Sequence, residues 1–168
     1  MNKCVFLDRD GVINVDFVDY VYTIEKFAFL PKVQEALGML KREGYKLIVI
    51  TNQSGIAKGI YSPQDVKNVF DYIQKETGNA LDDMYVAPYH ETYTESLTRK
   101  PDSLMLEKAI AKYNTDIKHS WMIGDKERDL IPGKKLGLNT AIIGQPTPYA
   151  DKITKSLFEA VEEILRGN

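Results

Sequence analysis

The chain has 168 residues, with 22 Lys and Arg against 24 Asp and Glu for a formal charge of −2, and is 43 % hydrophobic and 27 % charged. That length and composition suit one globular domain with a single core and exclude a low-complexity or repeat protein. The slightly acidic balance argues against non-specific nucleic-acid binding, and the longest purely apolar run, Leu47–Ile50, falls far short of the ~20 residues that span a bilayer.

In chain order, Cys4–Leu7 is a short apolar run that predicts the first strand. Residues 14–29 break the pattern, with Phe17, Tyr20, Tyr22, Phe27 and Phe29 among polar residues. They read equally as a small hairpin or flap above the sheet end, or as an edge hairpin with its rings in the core. Val33–Glu43 has apolar residues at helical spacing and is closed by Gly44. Lys46–Thr51 reads as a strand, and a helix over Val66–Ile73 is opened by Ser62-Pro63-Gln64-Asp65 and followed by Gly78. Met84–Ala87, Ser120–Ile123 and Asn139–Ile143 complete the strands; Leu104–Tyr113 and Leu157–Leu165 complete the helices, the last behind a Ser156–Glu159 capping box. Near-continuous apolar strands alternating with helices predict a three-layer α/β/α, Rossmann-like parallel sheet buried on both faces. No linker divides the chain, so a single domain over 1–168 is expected, with 14–29 as its flap and no separate cap domain. A lone cysteine, Cys4, permits no internal disulfide, and residues 1–8 hold no apolar signal segment, so a cytoplasmic location is expected.

Polar residues come directly after the strands: Asp8-Arg9-Asp10-Gly11, Thr51-Asn52-Gln53 and Gly124-Asp125-Lys126. The carboxyl ends of parallel strands share one rim, where ligands bind. Asp8, Asp10 and Asp125 crowded there require raised pKa values or a cation. The available donors are hard oxygens, so Mg²⁺ fits best, and Mg²⁺ in turn implies a phosphorylated substrate. Lys100, Lys126 and the Thr51 hydroxyl supply the polarity a phosphate needs. Asp8 can then act as a nucleophile and Asp10 as general acid and base, with Gly11 allowing the turn between them. Each motif alone also has a plain reading: a turn for Asp-x-Asp-Gly, a helix entry for Thr-Asn-Gln, a solvated loop for Gly-Asp-Lys, a helix start for Lys100-Pro101.

In this order, Asp8-Arg9-Asp10-Gly11, Thr51-Asn52, Lys100 and Gly124-Asp125-x-x-x-Asp129 resemble the four motifs of the haloacid dehalogenase superfamily of phosphatases, over nearly the whole chain. Asp8–Asn14 is similar to the branch that holds the histidinol-phosphate and heptose bisphosphate phosphatases. Thr51–Gly59, Tyr20-Val21, Arg99-Lys100-Pro101 and Gly124-Asp125-Lys126 are similar to its heptose members. The resemblance implies Mg²⁺ held by Asp8, the Asp10 carbonyl and Asp125. Thr51 and Lys100 would grip the transferring phosphoryl group, and Asn52, Gln53 and Lys126 would lie around the phosphate or metal. Arg99 would meet the second phosphate, with Asp129 in support. It further implies removal of the 7-phosphate from a heptose 1,7-bisphosphate through an aspartyl-phosphate, in the making of nucleotide-activated heptose.

Many members of that branch hold a structural zinc through Cys-x-His and Cys-x-Cys. The corresponding positions here read Ala87-Pro88-Tyr89 and Ser96-Leu97-Thr98, so no zinc is expected. His90 and His119 read as surface or structural residues, Cys4 as core, Tyr85, Tyr89 and Tyr93 as packing, and Lys134-Lys135 as a solvated helix face. A small phosphorylated sugar is thus the expected partner of a monomer, with no nucleic acid or membrane. Histidinol-phosphate phosphatase and polynucleotide 3′-phosphatase are the alternatives within the class. A non-catalytic binding protein on the same fold is the alternative outside it.

Overall fold

The structure, a computed structural model, describes residues 1–17 and 19–167. Val18 of the expected flap and Asn168 of the expected domain lie outside the described residues. Six parallel strands, β1 (Cys4–Leu7), β2 (Lys46–Asn52), β3 (Asp83–Ala87), β4 (Trp121–Gly124), β5 (Asn139–Ile143) and β6 (Lys152–Thr154), form one sheet in the order β3-β2-β1-β4-β5-β6. The helices are α1 (Val33–Arg42), α2 (Pro63–Glu76), α3 (Leu104–Tyr113), α4 (Glu127–Lys135) and α5 (Leu157–Arg166), with a 3₁₀ turn at Ile117–His119.

The two-residue period of the strands divides the core. Val5, Leu7, Leu47, Val49 and Ile123 point to one face, where they meet α1, α2 and α5. Cys4, Phe6, Ile48, Ile50 and Met122 point to the other, against α3 and α4. The chain runs outward from β1 through β2 to β3, then crosses to β4 on the opposite side of β1. The topological switch therefore lies between β1 and β4, where parallel sheets open a crevice.

Element boundaries move where caps or packing decide them. The Ser62 hydroxyl accepts the Asp65 amide at 3.2 Å and the Asp65 carboxylate accepts the Ser62 amide at 2.8 Å, so α2 begins at Pro63, behind the cap expected there, and runs past Ile73 to Glu76. Only half of the expected second box forms: Ser156 accepts from the Glu159 amide, whereas the Glu159 carboxylate accepts from Lys155. β3 is an edge strand and only half buried, unlike the other predicted strands. Two elements outside the expected set are α4, whose Pro132 and Gly133 mask its helical pattern, and the three-residue edge strand β6. Lys134 and Lys135 lie on a solvent-facing side of α4, where Lys134 pairs with Asp151. Cys4 is buried, and burial pushes its thiol pKa up.

Among the described residues, the segment after β1 forms no strand of its own. An antiparallel bridge between Asn14 and Phe29 and a 2.9 Å bond from the Val15 amide to the Ala28 carbonyl close its base. Its rings divide: Phe27 packs on Phe29 and on Tyr72 of α2, while Tyr20 and Tyr22 lean on Tyr61.

Candidate active site

Leu7 is paired with Ile123, so the loops after β1 and β4 leave the sheet side by side. The Arg9 carbonyl takes the amides of Val12, Ile13 and Asn14, folding the first loop tightly over the rim. Gly11 sits in that loop at φ 82°, and a Cβ there would lie 2.4 Å from the Asp125 carboxylate. Only glycine has both the backbone angle and the room.

Lys100 arrives from the loop between β3 and α3 and is almost wholly buried. Its Nζ donates to Asp8 Oδ1 at 2.8 Å and to the Ile50 carbonyl at 2.6 Å, and lies 2.8 Å from Asp129 Oδ1. Asn52 fixes that loop from β2, donating to the Lys100 carbonyl and accepting from its amide, both at 3.0 Å. Burial pushes the Asp8 pKa up to about 7, against the pull of Lys100. Burial also opposes the charge of Lys100, but Asp129 and Asp8 outweigh it and hold its pKa above the ordinary value.

Asp8, Asp125 and Asp129 each bring a carboxylate oxygen within 4.8 Å of the others, the one such cluster among the described residues. Asp129 is already committed, to Lys100 and to the Lys126 amide at 3.1 Å. Oδ1 of Asp125 and Oδ1 of Asp129 are both buried without a hydrogen-bond partner. Asp129 Oδ1, however, has the Lys100 ammonium 2.8 Å away, whereas the cation nearest Asp125 is Lys126 at 3.6 Å. Burial pushes the Asp125 pKa up to about 6, with Lys126 opposing. An orphaned anionic oxygen beside Asp8, in a set made only of oxygens, suits a hard divalent cation. Lys126 reaches Asp16 at 2.7 Å and lies 3.6 Å from Asp125; burial works against its charge, while Asp16 and Asp125 raise its pKa.

Asp10 is gripped from three sides. Arg9 Nε and Nη2 and Asn14 Nδ2 donate to its Oδ1 at 3.2, 2.7 and 2.9 Å; Gln53 Nε2 and Arg9 Nη2 donate to Oδ2 at 3.0 and 2.9 Å. Thr51 and Gln53 lie beneath the crevice floor, at 0 and 2 % exposure. Gln53 is not brought to the crevice wall as a substrate contact: its amide is spent on Asp10, on Thr51 Oγ1 at 2.9 Å, and on the Tyr61 hydroxyl, which donates to Oε1 at 2.7 Å. Burial pushes the Tyr61 pKa up to about 12, so the phenol keeps its proton.

The crevice of about 100 Å³ is lined by Asp8, Asp10, Asn52, Arg99, Lys100 and Lys126, joined by Asp16, Tyr20, Ser54, Arg128 and Asp129. A larger groove of about 820 Å³ lies beside the carboxylates rather than over them, and Arg99, Lys100 and Arg128 line both. Arg99 is held by the Tyr89 carbonyl and Glu91. Arg128 is exposed on α4 at the junction of the two spaces. Sequence reading missed Arg128 and Tyr61. A lone Arg in a stretch given no element, and a lone Tyr ten residues from Thr51, carry no local signal.

The haloacid dehalogenase-like hydrolase family matches residues 4–137. The chain is 35 % identical to D-glycero-beta-D-manno-heptose-1,7-bisphosphate 7-phosphatase of Haemophilus ducreyi, covering 96 % of this chain and 98 % of that one. It is 38 % identical to D-glycero-alpha-D-manno-heptose-1,7-bisphosphate 7-phosphatase of Burkholderia mallei, over 84 and 79 % of the two chains. Its fold matches the D,D-heptose 1,7-bisphosphate phosphatase of B. bronchiseptica, solved with magnesium and phosphate, at TM-score 0.90 and 22 % identity over 99 % of both chains. With a six-stranded parallel sheet, the acidic rim at its switch point and these full-length likenesses, the chain belongs to the haloacid dehalogenase-like hydrolases, on their phosphatase branch.

Proposed function

We propose that the protein is a Mg²⁺-dependent phosphomonoesterase that removes the 7-phosphate of D-glycero-D-manno-heptose 1,7-bisphosphate through a phosphoryl group carried on Asp8. The observation that carries this reading is Lys100 Nζ, 2.8 Å from both Asp8 and Asp129, beside the unpartnered oxygen of Asp125. Asp8, Asp125 and the Asp10 carbonyl would hold the Mg²⁺, which when bound offsets the charge crowded between carboxylates and phosphate.

Asp8 attacks phosphorus as its bond to the sugar O7 breaks, and Asp10 delivers a proton to the departing alkoxide. Lys100 draws Asp8 toward its ionised form, against burial, and offsets the charge of the phosphoryl oxygens. Asp10, now a carboxylate, takes a proton from the water that hydrolyses the aspartyl-phosphate, returning both groups to their starting states. Arg99, which lines both crevice and groove, would meet the second phosphate. Likeness to the heptose enzymes over nearly the full chain supports the substrate. The product would then supply the activation of heptose by a nucleotide.

The test is phosphate release with Mg²⁺ from both anomers of the bisphosphate, histidinol phosphate, hexose phosphates and a 3′-phosphorylated oligonucleotide. A kcat/KM for one heptose anomer well above the rest is expected; even, weak turnover would overturn the heptose assignment. Asp8→Asn should abolish turnover and leave thermal unfolding cooperative. Retention of most activity would remove Asp8 from the role of nucleophile.

A further inference from the structure

The geometry points to Tyr61 as a positioning residue for proton transfer: through the Gln53 amide, its buried hydroxyl aims the Asp10 oxygen that serves the leaving group. The inference rests on the assignment of Asp10 as general acid and adds a residue that never meets substrate.

Tyr61 is 7 % exposed and is not part of the crevice lining. Its ring stacks on Tyr22 at 5.0 Å and meets Tyr20 edge-on at 5.7 Å. On its other side is Gly55, where a Cβ would fall 2.1 Å from the ring. The ring is therefore clamped, and its hydroxyl donates to Gln53 Oε1 at 2.7 Å.

A primary amide in this place could present either end to its neighbours. The carboxylate of Asp10 is acceptor-only when ionised and needs the NH₂ end. Asp10 sets that orientation and Tyr61 holds it, because its O–H satisfies the carbonyl end and leaves the two amide hydrogens for Asp10 Oδ2 and Thr51 Oγ1. Oδ1 takes three donors, whereas Oδ2 takes Gln53 and a share of the Arg9 Nη2 that also serves Oδ1; a proton on Oδ2 displaces only that shared contact, so Oδ2 is the oxygen that carries it. In the transfer, the Oδ2–H bond breaks and the O–H bond of the sugar alcohol forms. Asp10 is left as a carboxylate that Gln53 still supports. Without the Tyr61 hydroxyl, a buried amide oxygen loses its donor, and the amide is free to turn away from Asp10.

The test compares kcat/KM for a sugar phosphate, whose alkoxide needs a proton to leave, with that for p-nitrophenyl phosphate, whose phenolate does not. Tyr61→Phe keeps the ring stack, and an unchanged melting temperature checks this. It should lower the sugar-phosphate value about fivefold to tenfold and the aryl value less than about twofold, the loss expected of one hydrogen bond. Gln53→Met should show the same selectivity, and Tyr61→Phe on that background should add nothing. Equal losses on both esters, or full additivity with Gln53→Met, would overturn the inference by making Tyr61 a packing residue only. Asp10→Asn separates the two layers: a selective loss of about 10²–10⁴ on the sugar phosphate upholds the acid assignment whatever Tyr61 does. An equal loss on both esters removes that assignment and the inference with it.

Discussion

Asp125 is predicted to weaken the metal-free fold, and Asp125→Asn to strengthen it while ending cation binding. The carboxylate has a pKa of about 6 against 3.8 for an ordinary Asp, its Oδ1 has no partner, and its side chain is 16 % exposed. A rise from 3.8 to about 6 costs about 3 kcal/mol once the group is ionised, at about 1.36 kcal/mol per decade. The variant recovers only part of this, since Lys126, 3.6 Å away, loses an attraction and the new amide must itself be satisfied. A net gain of about 1–2 kcal/mol remains, or a Tm rise of about 2–8 °C for a chain of this size. The sign comes from linkage. A raised pKa means the native state binds the extra proton, so the native protein has its full relative stability below 3.8 and loses it as pH climbs through about 6. The gain from Asp125→Asn should therefore be large at pH 7.5 and nearly absent at pH 4. Thermal unfolding in EDTA at the two pH values measures it. Millimolar Mg²⁺ should then raise the Tm of the parent and leave that of the variant in place. A variant less stable than its parent at pH 7.5 without metal, or a gain of equal size at pH 4, would refute the reasoning.

Lys100→Met should be strongly destabilising as well as inactive, because it strands the buried carboxylates of Asp8 and Asp129; the expected loss is about 3–5 kcal/mol, read as a fall in Tm at pH 7.5 that shrinks toward acid pH. Arg128→Met should raise KM for the heptose bisphosphate about fivefold to tenfold with little change in kcat, while the heptose 7-phosphate, lacking the second anion, keeps its KM. An equal rise for both sugars would place Arg128 outside substrate recognition.

Much of this site is legible in the sequence because parallel strands deliver the residues at their carboxyl ends to one rim. Asp8, Thr51 and Asp125 each come at the end of an apolar run, and that placement holds whatever the helices do. Lys100 has no such signal of its own. It lies 92 residues from Asp8 in a loop, and only motif order points to its place. Of α4 only the face at Lys134-Lys135 is legible, because Pro132 and Gly133 break the helical pattern before it, although the first turn carries Asp129 under Lys100 and Arg128 at the crevice mouth.

Gln53 illustrates a harder limit. A residue type that suits a phosphate site suits the scaffold beneath one equally well, and periodicity does not say which way a side chain faces just after a strand ends. The deciding contact comes from Tyr61, whose place depends on the cavity at Gly55 and on two tyrosines from the segment after β1. That segment also accepts Arg9 Nη2 on the Val21 carbonyl at 2.6 Å, while the same nitrogen binds Asp10. Asp10 is thus tied to the aromatic segment by two routes, one through Arg9 and one through Gln53 and Tyr61. Asp8 is tied to none of it and answers to Lys100 instead. The residue proposed as nucleophile is held by the sheet and the one proposed as proton carrier by the segment above it, so a disturbance of the aromatic segment should reach protonation of the leaving group before it reaches the attack on phosphorus.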